Sequence, residues 1–148
     1  MTTLFFDYCL GKSLTGALRL LEPPSVEAYY FQEFFTQETP DDQWLQDIGQ
    51  RGWIVITQDR KLHRSPTQLA AMKAHRVGCF YLSCANDTKW RTFLLLAKAL
   101  EELLRMAAET PRPFAFSVHR DGKVARVSLD RRPPAATLAP DSVLPLSG

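Results

Sequence analysis

The chain has 148 residues, 45% of them apolar and 23% charged, with a formal net charge of +2. That length suits one domain with a real hydrophobic core, and the composition argues against wholesale disorder. The near-neutral charge excludes a protein that holds nucleic acid by bulk charge alone, though not one with a local basic patch.

Thr3 to Asp7 is short, apolar and aromatic, and reads as a buried strand. It lacks the basic flank and long apolar stretch of a signal peptide. After Gly11, Leu14, Leu18 and Leu21 fall at helical spacing, predicting a helix over Ser13 to Leu21 that Pro23-Pro24 closes. Val26 to Tyr30 reads as a second strand. Phe31 to Thr39 fits neither period; it is aromatic but carries Glu33 and Glu38. Asp41 is expected as the N-cap of a helix with the apolar stripe Trp44, Leu45 and Ile48, ended by Gly52. Trp53 to Thr57 is the clearest strand and runs straight into Gln58-Asp59. Ser65 caps the next helix and Pro66 opens it.

Cys79 to Leu82 follows as a buried strand, and Lys89 to Ala108 as a long amphipathic helix. Phe114 to Val118 and Val124 to Leu129 flank Asp121-Gly122, a strong hairpin signal. Residues 1–129 are read as the folded domain and Asp130 to Gly148, rich in Arg, Pro, Ala and Ser, as a disordered C-terminal tail. Strands alternating with helices predict an α/β fold with a mostly parallel sheet, to which the hairpin adds antiparallel strands. No run approaches the roughly 18 apolar residues of a membrane span. Cys9, Cys79 and Cys84 make an odd set without a C-x-x-C pair, which supports neither a disulfide framework nor a zinc site and suits a reducing, cytoplasmic setting.

In open α/β sheets, sites form beyond the carboxyl ends of the strands. Asp7 ends the first strand and Asp59 follows the Trp53 to Thr57 strand, so both reach one edge. Asp41 opens the helix leading into that strand and comes to the same edge. Clustered carboxylates repel unless a cation neutralises them, and few hard oxygen ligands favour Mg²⁺ or Mn²⁺ with water completing the shell. Such an ion activates water and steadies a phosphodiester. Arg60, Lys61 and Arg64, together with Lys12, are candidates for neutralising backbone phosphates beside it. Each residue also has a plainer reading: Asp41 as a helix cap, Asp59 as a turn residue, Asp7 as the partner of Lys12 or Arg60, and Trp44 as core.

These residues resemble the PIN-like nuclease family, and within it the VapC-type toxins. The likeness lies in Phe5-Phe6-Asp7, in Thr39-Pro40-Asp41-Asp42-Gln43-Trp44-Leu45, and in Gly52-Trp53-Ile54-Val55-Ile56-Thr57-Gln58-Asp59-Arg60 followed by Arg64. The resemblance implies a three-layer α/β/α fold, a carboxylate-bound Mg²⁺ or Mn²⁺, and endonucleolytic cleavage of single-stranded RNA. It further implies a toxin held by a cognate antitoxin, with a homodimer as a further expectation. Phe31, Phe34 and Phe35 could then serve as core or as the surface met by a partner. Asp7, Asp41 and Asp59 take the metal and catalytic positions, with Asp42 and Glu38 as candidates for an extra acid. Relatives often carry a further acid one turn into the helix after Arg64, where this chain has Gln68. That departure favours a second reading, a non-catalytic PIN-like interaction module. A receiver-like phosphoacceptor domain is the third; it needs an acid pair after the first strand and a late lysine, where this chain has Tyr8-Cys9 and Ser83-Cys84.

Overall fold

The computed structural model describes residues 1–59, 65–83 and 87–129. Strand β1 (Thr2–Phe6) lies in the interior of a six-stranded sheet. Strand alternation sends Leu4 and Phe6 to one face and Phe5 to the other, and all three are buried. Strand β2 (Val26–Tyr30) lies parallel on one side of β1, and β3 (Ile54–Thr57) lies parallel on the other. Strands β4 (Gly78–Leu82) and β5 (Phe114–Val118) extend the parallel set. Strand β6 (Val124–Arg126) closes it antiparallel to β5, giving the order β2-β1-β3-β4-β5-β6.

The class is the predicted mostly parallel α/β fold with a C-terminal hairpin. One pairing differs from the hairpin expectation. Only β6 runs antiparallel, whereas β5 is parallel to β4. The long helix between β4 and β5 returns the chain to the start of the sheet, so β5 enters in the common direction.

Helices α1 (Ser13–Leu21) and α4 (Lys89–Glu109) cover one face. Leu14, Leu18, Leu95, Leu96, Ala99 and Leu103 pack there against Leu4, Phe6, Ile54, Ile56 and Phe80. Helices α2 (Asp41–Arg51) and α3 (Pro66–Ala74) cover the other. Trp44, Leu45, Ile48, Ala71 and Met72 pack against Phe5, Val55, Cys79 and Tyr81. Each fully buried large apolar side chain contributes roughly 1.5–3 kcal/mol, so these two layers fix the helices on the sheet.

Helix ends follow local chemistry. Ser65 Oγ accepts from Gln68 N–H and Pro66 opens α3, as the sequence predicts. Gly52 ends α2 in the left-handed region at φ 72°. Gly49 lets α2 approach α3, since a Cβ there would run into the His75 carbonyl. Asp41 departs from its expected place: Pro40 is the N-cap and Asp41 is the first helical residue. Pro40 is set in extended backbone (φ −60°, ψ 144°), which suits a cap and moves the helix start one residue earlier. The Phe31 stretch opens with a short 3-10 turn, Phe31–Glu33, tied down by Glu33 to the Tyr30 N–H and to Arg19. Phe31 is core, Phe35 packs against the same cluster, and Phe34 is partly exposed.

Candidate active site

The chain leaves β1 for β2 on one side and returns with β3 on the other. The strand order therefore reverses between β1 and β3. Diverging connections leave a crevice at such a point, outside the strands' carboxyl ends. Asp7 is the first residue beyond β1, and Asp59 stands two residues beyond β3. The Asp7 N–H donates to Ile56 O at 2.9 Å and ties the two strand ends together.

Asp7 is only 8% exposed. Its Oδ1 accepts from the Tyr8 N–H at 2.7 Å, and its Oδ2 accepts from Thr57 Oγ1 at 2.8 Å. Thr57 Oγ1 in turn accepts from the Asp59 N–H at 2.9 Å, so one hydroxyl links the Asp7 carboxylate to the Asp59 backbone. Cys9 Sγ adds a weak contact to Asp7 Oδ2 at 3.9 Å. Burial holds the Asp7 carboxyl above its ordinary pKa. The Thr57 and Tyr8 hydrogen bonds pull it down in part, and the charges of Asp59 and Asp41 push it up again. Asp7 makes no ion pair with Lys12, which stands exposed just before α1.

Asp41 reaches the same crevice from the α2/α3 layer. Its Oδ1 accepts from Trp44 Nε1 at 2.9 Å, one turn along the helix. Its Oδ2 accepts from Gln68 Nε2 on α3. Gln68 Oε1 is buried and has no partner among the described residues. Asp42 points away and meets His75 Nε2 at 3.0 Å, while Glu38 is exposed in the turn before α2. Arg60, Lys61 and Arg64 lie outside the described residues, as do Cys84 and residues 130–148. Below the crevice, Cys79 and Tyr81 are buried, and burial pushes both groups up so that each stays neutral.

The sequence reading named the acids but missed Thr57. Its signal was there: a hydroxyl ends the otherwise apolar run Ile54-Val55-Ile56-Thr57 and is fully buried, so it must find a partner. The indole N–H of Trp44 was missed likewise, because its packing role hides its polar one.

A divalent ion suits the chemistry of this donor set. The carboxylates are hard oxygen ligands, and Asp7 is a buried charge braced by neutral groups alone among the described residues. Among the described residues, however, no group of three His, Cys, Asp or Glu side chains stands close enough to hold one ion. A hydrated ion taken by one or two carboxylates is the usual habit of Mg²⁺ and needs no closed cage.

The fold defines a mostly parallel α/β protein in which Asp7 and Asp59 follow the two strands that flank the topological switch point. A family model described as "PIN like domain" matches residues 2–84, more than half of the chain. The chain belongs to the PIN-like domain family. Proteins of this kind are often nucleases, and those nucleases commonly use divalent metals. The matched span includes Asp7, Asp41 and Asp59 but not α4, β5 or β6. No curated protein and no solved structure matches the chain. Among the described residues, no helix is long and apolar enough to cross a membrane.

Proposed function

We propose that this protein is a Mg²⁺- or Mn²⁺-dependent endoribonuclease that cuts single-stranded RNA, acting in the cytoplasm as the toxin of a VapC-type toxin–antitoxin pair. The observation that carries this reading is Asp7: a buried carboxylate at the β1/β3 switch point, raised by burial and by Asp59 and Asp41. A native protein keeps such a charge at a cost, which a cation would offset. When bound, the metal supplies an activated water and charge neutralisation at the phosphodiester. Asp7 and Asp59 are the residues to hold it, kept in register by Thr57. Asp41 is fixed by Trp44 and orients water from the opposite wall. Lys12, exposed just before α1, is assigned to neutralise a backbone phosphate. Arg60, Lys61 and Arg64 directly follow Asp59 in the chain and are assigned the same role from the sequence alone.

A second reading is favoured by the Gln68–Asp41 hydrogen bond. An amide occupies the oxygen of Asp41 that a cation would use, as in a PIN-like module that binds partners without cutting. The cleavage of single-stranded RNA with added Mg²⁺ or Mn²⁺ decides between them. The nuclease cuts, is silenced by chelation, and fails as Asp7→Asn or Asp59→Asn. Equal cleavage by wild type and both variants, or none by any, overturns the nuclease reading. Light scattering on the protein alone and with the product of the neighbouring reading frame tests the homodimer and the antitoxin.

A further inference from the structure

The carboxyl edge of the sheet carries more than the acids. Helix α4 starts there, beyond the end of β4, and the β5–β6 turn rises beside it. Trp90, in the first turn of α4, is 66% exposed and stacks on Phe93 with ring centroids 6.2 Å apart and planes 23° from parallel. Leu94, one turn further, is 47% exposed. Around this apolar strip stand Lys89, Arg91 and Lys98, none with an ion-pair partner among the described residues. Lys98 lies over the turn at Gly122, and Arg120 from that turn is held by Asp87 at 2.7 Å. Arg91, Leu94, Leu95, Lys98, Asp87 and Arg120 together line a hollow of about 260 Å³.

Among the described residues, the core does not call for an indole here. The core beneath α4 is closed by Thr92, Leu95, Leu96, Ala99 and Leu103. A solvent-facing Trp flanked by unpaired cations is the combination that holds single-stranded nucleic acid: bases stack on the ring and cations follow the phosphates. An acidic protein partner would also meet the cations. The edge, however, is shared with the acids, and β4 lies only two strand spacings from β1, about 10 Å at roughly 4.8 Å per step. The start of α4 therefore lies along the same edge that an RNA chain in the crevice would follow.

We infer that the amino-terminal turn of α4 and the β5–β6 turn form a base-stacking platform for single-stranded RNA, with Trp90 as the stacking residue and Lys89, Arg91 and Lys98 as its phosphate contacts. This rests on the ribonuclease reading for the choice of RNA. It lies outside residues 2–84, the span that the family model matches.

The test separates binding from cutting. The full chain is titrated in chelator with a single-stranded RNA of about 12 nucleotides, within the span of one single-strand-binding module. Binding is followed by RNA anisotropy and by tryptophan fluorescence. Trp44 is buried and Trp53 half-buried, so quenching by RNA reports mainly on Trp90. Trp90→Ala is expected to bind about tenfold more weakly, Trp90→Phe to bind nearly as wild type, and both to melt as wild type does. Arg91→Gln with Lys98→Gln is expected to lower the slope of log affinity against log salt by about 0.7 for each cation removed. Asp7→Asn, which removes cutting, keeps the platform's binding and quenching. RNA binding by Trp90→Ala equal to wild type, or no quenching on binding, overturns the platform and leaves the nuclease untouched. Quenching with full Trp90 dependence but no cleavage keeps the platform and removes the nuclease. Loss of a dimer in Trp90→Ala with RNA affinity unchanged assigns the face to protein and also overturns the proposal.

Discussion

The two faces of the sheet are built differently. Beneath α1 and α4 the core is mostly aliphatic, with stacked Phe80 and Phe116 on the sheet, and its outer surface carries the cations of α4. Beneath α2 and α3 aromatic rings make up a larger share of the core, and polar atoms thread it. Phe5, Phe31 and Trp44 pack ring on ring, Trp44 donates to Asp41, and the Tyr81 hydroxyl meets Met72 Sδ at 3.7 Å. The first face stabilises by packing alone. The second shares its side chains with the crevice, so its packing residues also orient candidate site groups. A large core substitution should therefore cost stability on the first face and activity on the second.

The largest effect should come where the faces meet. Asp7→Asn is expected to lower RNA cleavage by roughly 10³-fold, the several kcal/mol a metal supplies at a phosphodiester. Single-turnover cleavage at saturating Mn²⁺ measures it. Leu96→Ala on the aliphatic face should cost about 2–5 kcal/mol in denaturant unfolding while leaving cleavage per folded molecule unchanged. Trp44→Phe on the aromatic face should do the reverse. It keeps most of the packing, loses about 1 kcal/mol with the hydrogen bond to Asp41, and cuts roughly tenfold more slowly. If both variants lose stability and activity in proportion, the contrast between the faces is broken.

Gln68→Glu sharpens the crevice itself. A carboxylate beside Asp41 adds like charge, so the metal-free protein should melt lower. Mn²⁺ should then bind about tenfold tighter by calorimetry, since the new carboxylate adds negative charge and a hard oxygen ligand. Unchanged Mn²⁺ affinity would show that the Gln68–Asp41 side of the crevice does not face the ion.

The smallest effect is in the pH dependence of stability. The folded-state pKa of Asp7 lies above its ordinary value of 3.8, so the native state binds the proton more tightly than the unfolded chain. Stability from this residue is greatest below that ordinary value and falls as pH rises through the folded-state pKa. Asp7→Asn removes the buried charge, and its amide can still donate to Thr57 Oγ1. The variant should therefore melt higher than wild type at neutral pH, with the gap closing as the solution is acidified towards pH 3.8. Thermal melts of both proteins across that range check the sign. A constant gap would mean that Asp7 is not the group responsible.

The sequence by itself determined the strands and helices, because apolar periodicity, the Ser65-Pro66 start and the Gly52 stop act within a few residues. It also determined which edge Asp7 and Asp59 occupy, since Asp7 directly follows one parallel strand and Asp59 stands two residues beyond another. Tertiary structure decided the rest. Thr57 became a brace only when β3 paired with β1 and carried its hydroxyl to Asp7, fifty residues away in the chain. Gln68 met Asp41 only when α3 packed on α2, a contact between helices that no local pattern encodes. The direction of β5 depended on where α4 returned the chain, and the exposure of Trp90 on which side of α4 the sheet claimed. Local physics sets where an element begins and ends. Partners across the sheet are chosen by packing, which only the assembled chain can do.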